Sequence, residues 1–261
     1  MKKITLFLSS LLLLGLFVFG SQQVQSVQAA EKTYEIGTDV TYPPFEFANK
    51  DNKYVGIDID IMKAIAKSEG FKVNIQPLGF NAAVQAVQSG QIDGVIAGMT
   101  ITDERKAKFD FADPYYHTGV VMAVKKDSKI TGLKGLKGQR VAIKTGTAAG
   151  DYAKSKAKEY GFTTVTFDDS DNMYNDVVNG NSVACFEDEP VMQYGIKTGL
   201  GLKIVTKPVQ GGDYGFAVKK GTNPELVAKF NKGLKKLKAS GEYAKIQAKY
   251  LNTKASSEKR S

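Results

Sequence analysis

The chain has 261 residues, 42% hydrophobic and 24% charged, with 36 Lys and Arg against 27 Asp and Glu, a formal net charge of +9, one histidine and one cysteine. That inventory excludes an intrachain disulfide and any metal site built on several histidines or cysteines. The arginines are only Arg105, Arg140 and Arg260, and lysines such as Lys154, Lys156, Lys158, Lys235 and Lys236 spread over helix faces, which suits solubility or loose attraction to anionic envelope polymers and excludes a nucleic-acid reader.

At the N-terminus, Lys2 and Lys3 precede an apolar run over residues 4–20, and a polar stretch leads to Val27-Gln28-Ala29-Ala30. The pattern predicts a secretory signal peptide over residues 1–29, cut after Ala29, with an uncleaved membrane anchor as the alternative. Loss of Lys2 and Lys3 would lower the net charge to +7. No cysteine follows the run, so lipid attachment there is excluded, and nothing later in the chain is apolar enough to span a membrane.

The remainder alternates short apolar or period-2 runs with helical patterns closed by glycine, which predicts α/β units and largely parallel sheets. Strands are expected at 34–37, 71–75, 94–97, 120–124, 141–144, 165–167, 183–186 and 203–206. Between them, Ile57, Ile61, Ala64 and Ile65 make one helix face stopped by Gly70, and Ala83, Val84 and Val87 make a second stopped by Gly90. Residues 149–160 make a third stopped by Gly161. Thr102 caps a short helix, and Asn223 with Pro224 opens one carrying Leu226, Val227, Phe230, Leu234 and Leu237. A last helix carries Tyr243, Ile246 and Tyr250, and residues 253–261 are expected to be a disordered tail. Val87-Gln88-Ser89-Gly90 before Ile92 and Val178-Asn179-Gly180 before Val183 repeat one helix-to-strand junction, suggesting two similar substructures.

Enzyme constellations are missing. His117 is the only histidine and reads as a surface or structural residue, and Cys185 lies between Ala184 and Phe186 as a buried small hydrophobe. Lys144-Thr145-Gly146-Thr147-Ala148-Ala149-Gly150 lacks the Gly-Lys-Ser/Thr ending of a phosphate loop. As a strand-to-helix junction, it can instead offer backbone N–H groups to a carboxylate or be an ordinary turn. At the junction running from Ala97 to Arg105, the arginine, the Thr100 hydroxyl and helix-end amides suit a carboxylate, with a solvated arginine as the alternative. Asp39, Glu187 and Asp188 stand where strands end and can pair with an ammonium; Asp188 before Pro190 can also be a helix cap. Tyr42, Phe45 and Phe80 either sandwich an aliphatic stem or fill core.

These segments resemble the polar amino-acid-binding proteins of ABC importers, closest to the glutamine-binding proteins, over roughly residues 34–252. The resemblance rests on Gly37-Thr38-Asp39 with Tyr42-Pro43-Pro44-Phe45-Glu46-Phe47, on Gly56-Ile57-Asp58-Ile59-Asp60, on the Ala97 to Arg105 junction, on Phe109 to Tyr116, and on Lys144-Thr145-Gly146-Thr147. It implies a type II periplasmic-binding fold: two α/β lobes, each a mostly parallel sheet flanked by helices, joined by two crossing hinge strands near Gly119 and Gly211. Residues 32–118 plus 213–252 would form lobe 1 and 119–212 lobe 2.

Position by position, the resemblance implies that Arg105, Thr100 and the N–H of Ala148 hold a ligand carboxylate, and that Asp188 and the carbonyl of Gly98 take its ammonium. Tyr42 and Phe80 would flank the stem, and Asp39 with Lys144 would meet the far end, an acceptor and a donor that suit a neutral amide. Arg105 and Lys144 against Asp39, Glu187 and Asp188 leave one negative charge, which also tolerates a cationic side chain. Glu187 departs from the best-known glutamine binder, which has histidine there.

The expected function is therefore an exported, extracytoplasmic binder, in the periplasm or at the outer face of the cytoplasmic membrane. It would bind L-glutamine by lobe closure, work as a monomer without cofactor or metal, and deliver its ligand to an ABC permease and its ATPase. It would touch the membrane only through that permease or an uncleaved N-terminus. The alternatives are basic amino acids or glutamate as ligand, a cyclohexadienyl-dehydratase-like enzyme on the same fold, and a receptor's sensor domain.

Overall fold

The computed structural model describes residues 32–251; the expected signal peptide and polar tail lie outside the described residues. The chain opens with β1 (Thr33–Thr38), a small meander of β2 (Thr41–Tyr42), β3 (Glu46–Ala48) and β4 (Tyr54–Val55), then α1 (Ile57–Glu69), β5 (Lys72–Pro77), α2 (Phe80–Ser89) and β6 (Gly94–Val95). There follow α3 (Asp103–Lys106), β7 (Phe109–Phe111), the long β8 (Tyr116–Lys125), a 3₁₀ turn at Leu133–Leu136, β9 (Arg140–Lys144), α4 (Ala148–Tyr160), β10 (Thr163–Phe167), α5 (Ser170–Val178) and β11 (Ala184–Asp188). The chain closes with α6 (Glu189–Lys197), β12 (Leu202–Ile204), β13 (Val209–Tyr214), β14 (Ala217–Lys219), α7 (Pro224–Ser240) and α8 (Glu242–Leu251).

Two main sheets result, ordered β5-β1-β6-β14-β7 and β10-β9-β11-β8-β12. Within them, β5-β1-β6 and β10-β9-β11 are parallel, connected through helices, while β14, β7, β8 and β12 run antiparallel. The sheets are therefore more mixed than the βαβ pattern predicts. β8 pairs antiparallel with β11, β12 is reached through α6 and pairs antiparallel with β8 on its other side, and β13 returns beside β8 with Val209 opposite Val120 and Tyr214 opposite Tyr116.

Helices cover both faces of each sheet. On the first, Tyr34 and Ile36 pack with Ile57, Ile61 and Ile65 of α1 and Phe230 and Leu234 of α7, while Phe80, Ala83 and Val87 of α2 pack beneath Val95 and Ala217. On the second, Val120, Met122 and Val124 of β8 face Ala149 and Ala153 of α4, and Val121 and Ala123 face Met173 and Val177 of α5. Burial on both faces explains why β8 reads as one apolar run without alternation.

All eight expected strands are present, and the short β2, β3, β4, β7, β13 and β14 are additional. β2, β3, β4, β7 and β14 have two or three residues each, too few to show a period, and β13 carries Gly211 and Gly212 where an apolar alternation would stand. The two echoing glycines follow α2 and α5, one beside each sheet: Gly90 is a left-handed C-cap, whereas at the second site Asn179 is the C-cap and Gly180 takes the positive φ of 82°. Asn223 is not the side-chain cap expected for α7. It sits at φ 47° with its amide turned to Asp93, so that side chain ties α7 to the loop before β6. Gly56, opening α1, is required outright, because its φ is 137° and a Cβ there would lie 2.0 Å from the Phe45 carbonyl oxygen. Cys185 is buried and free, and burial pushes its thiol well above the usual range. His117 is exposed on β8 and meets Asp213 of β13 at 2.7 Å. Among the described residues no helix is long and apolar enough to cross a membrane.

Candidate functional site

The carboxyl ends of parallel strands from both sheets converge on one cavity, where ligands of open α/β sheets collect. β1 ends at Thr38 and delivers Asp39; β6 leads to Ala97 and Gly98; β9 ends in Lys144; β11 ends in Glu187 and Asp188. The cavity is lined by Asp39, Tyr42, Phe80, Gly98, Thr100, Arg105, Lys144, Ala148, Glu187 and Asp188, together with Ala97, Thr147 and Ala149. The structure thus brings together all ten residues singled out in the sequence; Phe45, the aromatic read as either sandwich or core, is core.

Arg105 belongs to α3, whose cap is the Thr102 hydroxyl accepting from the Arg105 amide at 3.2 Å. Its guanidinium donates to the Thr100 carbonyl at 2.6 Å and to the Gly146 carbonyl at 2.9 Å, and lies 5.4 Å over the Phe80 ring. Burial lowers its pKa, while Asp151 and Asp188 oppose that shift. This is a partly buried arginine with its fork held by backbone carbonyls, an orientation suited to a carboxylate. Beside it, α4 starts at Ala148: the Thr147 hydroxyl accepts from Gly150 N at 3.0 Å and donates to the Lys144 carbonyl at 3.0 Å. First-turn amides have no intrahelical acceptor, so this end too favours an anion.

Asp188 is not a helix cap. Its position is the N-cap of α6, but the carboxylate makes no bond to that helix and accepts instead from the Tyr42 hydroxyl at 2.8 Å and from the Tyr214 hydroxyl. Burial raises its pKa, and Tyr214, Tyr42 and Arg105 hold that rise back. A buried carboxylate held by two hydroxyls is an arrangement that can accept from an ammonium group. Glu187 accepts from Tyr174 at 2.8 Å on one oxygen, and from the Asp188 amide at 2.9 Å and Tyr42 at 3.3 Å on the other. Burial first, then the neighbouring Asp188, raises Glu187 to about 7.

Asp39 and Lys144, expected as separate groups, form a buried ion pair, 1% and 2% exposed. Lys144 donates to Asp39 and, at 3.0 Å, to the Ser170 hydroxyl, while the second Asp39 oxygen accepts from Val40 N at 2.7 Å. The pair offers the cavity one donor and one acceptor with little net field. Gly98 is at φ 53°, and a Cβ there would lie 2.6 Å from the Tyr42 ring, so only glycine lets strand and aromatic approach. Its amide donates at 2.8 Å to Asp58, which also accepts from Tyr115 at 2.6 Å.

Sequence reasoning missed Tyr214, Ser170 and Tyr174. Tyr214 lies in the glycine-rich return strand, where an isolated aromatic was the available signal. Ser170 and Tyr174 stand four apart in α5 and so share a face, but nothing in their spacing says what that face meets.

Over residues 34–253 the chain matches the bacterial extracellular solute-binding proteins, family 3. It is 32% identical to the arginine-binding extracellular protein ArtP of Bacillus subtilis, an alignment covering 96% of this chain and 98% of ArtP. An ancestral arginine-binding protein solved with arginine superposes with a TM-score of 0.79 at 41% identity, covering 85% of this chain and 99% of the other, and the same TM-score holds for its glutamine-bound structure at 40% identity. The second substrate-binding domain of GlnP from Lactococcus lactis, in its open conformation, matches with a TM-score of 0.61 at 47% identity, covering 87% and 98%. The chain belongs to family 3 of the bacterial extracellular solute-binding proteins and has their two-lobed type II periplasmic-binding fold.

Proposed function

We propose that the protein is the exported substrate-binding component of an ABC amino-acid importer, that its ligand is L-glutamine, and that it acts by capture and delivery without chemical conversion. One observation carries the reading: a cavity with a fixed arginine and a hydroxyl-stabilised aspartate for the zwitterion ends in the neutral donor–acceptor pair Lys144 and Asp39. In that reading Arg105, Thr100 and the Ala148 amide take the carboxylate, Asp188 and the Gly98 carbonyl take the ammonium, and Tyr42 and Phe80 flank the stem. The terminal amide accepts from Lys144 and donates to Asp39 or Glu187. Residues 32–118 plus 213–252 then form one lobe and 119–212 the other, hinged at β8 and β13. The superpositions support a closed arrangement, since the neighbour solved open fits less well than the bound ancestral protein despite its higher identity.

Basic amino acids are the second reading. They are favoured by Glu187, the acid that gives the cavity its excess negative charge, and by the arginine bound by several relatives. Against them stands the ion pair of Lys144 with Asp39, which occupies an acceptor that a cationic side chain would need.

Calorimetric titration of refolded, ligand-stripped protein with the common amino acids tests both. Glutamine is expected to bind unchanged, as product analysis of the sample would verify. Arg105→Ala is expected to weaken every α-amino acid by roughly a hundredfold, the loss of a charge-assisted bidentate contact. Failure of every amino acid to bind, or normal binding by Arg105→Ala, would overturn the assignment.

A further inference from the structure

Two of the cavity's charges, Lys144 and Glu187, are held from behind by a single helix. Lys144 is on β9 and Glu187 on β11, parallel neighbours in the second sheet. α5 packs across the face of those strands, and its first turn places Ser170 and Tyr174 four residues apart on one side. Ser170, fully buried, accepts from the Lys144 ammonium at 3.0 Å, and Tyr174, also buried, donates to Glu187 at 2.8 Å. Neither lines the cavity. The anchoring is itself tied across the cleft, for the Ser170 amide donates to the Thr41 hydroxyl at 3.1 Å.

We infer that Ser170 and Tyr174 are specificity-determining residues: positioning groups that set the choice between a neutral and a cationic ligand side chain by fixing Lys144 as a donor and Glu187 as an acceptor. This rests on the amino-acid-binding reading above. A hydroxyl that donates to a carboxylate stabilises its ionised form. Tyr174 therefore favours the charge that a cationic side chain needs, while Ser170 aims the ammonium that an amide oxygen needs. The other groups around Glu187 are Asp188 on its own strand, Lys144 on β9 and Tyr42 on β2, with Cys185 two residues back. Tyr174 itself stays protonated, held well above its usual range by burial and by Glu187.

The test is to measure glutamine and arginine affinities of the wild type, Tyr174→Phe and Ser170→Ala by calorimetry between pH 5.5 and 8.5. Tyr174→Phe is expected to weaken arginine about tenfold more than glutamine at pH 7.5, the effect of one hydrogen bond to a charged group. It should also move the pH at which the glutamine-to-arginine ratio turns over upward. Ser170→Ala is expected to shift the ratio the other way, weakening glutamine more, with Ser170→Thr restoring it. Equal changes for both ligands with an unmoved pH profile would reduce both residues to packing and overturn the inference. Should Tyr174→Phe fail to fold, an unchanged ratio in Ser170→Ala overturns it alone. A wild type that binds neither amino acid would instead sink the functional reading.

Discussion

Glu187 is the residue at which the ligand question turns. Ionised, it leaves the cavity with Arg105 and Lys144 against three carboxylates, one negative charge in excess, which a cationic ligand neutralises. Protonated, it leaves the charges balanced, which suits a neutral side chain. Because burial and Asp188 raise Glu187 to about 7, the two forms exchange near neutrality. Glutamine affinity is therefore expected to rise as pH falls from 8.5 to 6, and arginine affinity to fall. Calorimetry in buffers of different ionisation heat should show proton uptake with glutamine and none with arginine above pH 7. Affinities that ignore pH across this range would place Glu187 outside the ligand's reach. The sequence marks Glu187 as an acid at a strand end, but its pKa depends on Asp188, Tyr174, Tyr42 and Lys144, and three of those come from other elements.

At the scale of elements, the site is built from strand ends and helix starts, the least regular part of each α/β unit. β9 runs through Lys144 into the turn that opens α4, and Thr147 holds both sides of that junction, donating to the Lys144 carbonyl and accepting from Gly150 N. Thr147→Ala is expected to cost about 1 kcal/mol, the usual effect of losing an N-cap. It should appear as a lower urea midpoint at unchanged slope, together with weaker ligand binding from displaced α4 amides. Retained affinity would show that those amides take no part. The glycine and threonine pattern made this junction legible in the sequence, as it did the Thr102 cap. Asp188 shows the opposite case: beside Pro190 it has the local signature of a cap, and only Tyr42 and Tyr214, both distant in sequence, turn it into the cavity.

For the whole molecule, burial of acids sets the pH response. Glu46 and Asp58 face each other beneath the site. Burial first, then the neighbouring Asp58, raises Glu46 well above its usual range, and burial raises Asp58 to about 6 against a hydrogen bond from the Glu46 carboxyl. A carboxyl whose folded pKa is raised binds more protons folded than unfolded, so the stability it contributes is complete below pH ~4.5 and declines as pH rises through the folded value. Glu69, Asp110 and Glu225 are lowered by their lysine partners and act in the opposite sense below pH ~4.5. Maximum thermal stability is therefore expected on the acidic side of neutrality, with a lower Tm at pH 8 than at pH 5. Glu46→Gln, which keeps the shape and removes the titration, should raise the pH 8 Tm by about 2–4 °C, the shift that roughly 1 kcal/mol gives in a domain of this size. An unchanged pH dependence in that variant would show that Glu46 is not the group responsible.

Sequence alone determined the α/β class, eight of the strands and the helix stops, because each leaves a local trace: apolar periodicity, a glycine at a positive φ or a cap; ten of the thirteen residues lining the cavity were named through charges at strand ends and the family resemblance. Tertiary structure decided the rest. The antiparallel strands, the return of β13 beside β8, the pairing of Lys144 with Asp39 and the anchoring of both cavity charges by α5 all join residues far apart in the chain. Their stability comes from burial and backbone pairing that no single segment encodes.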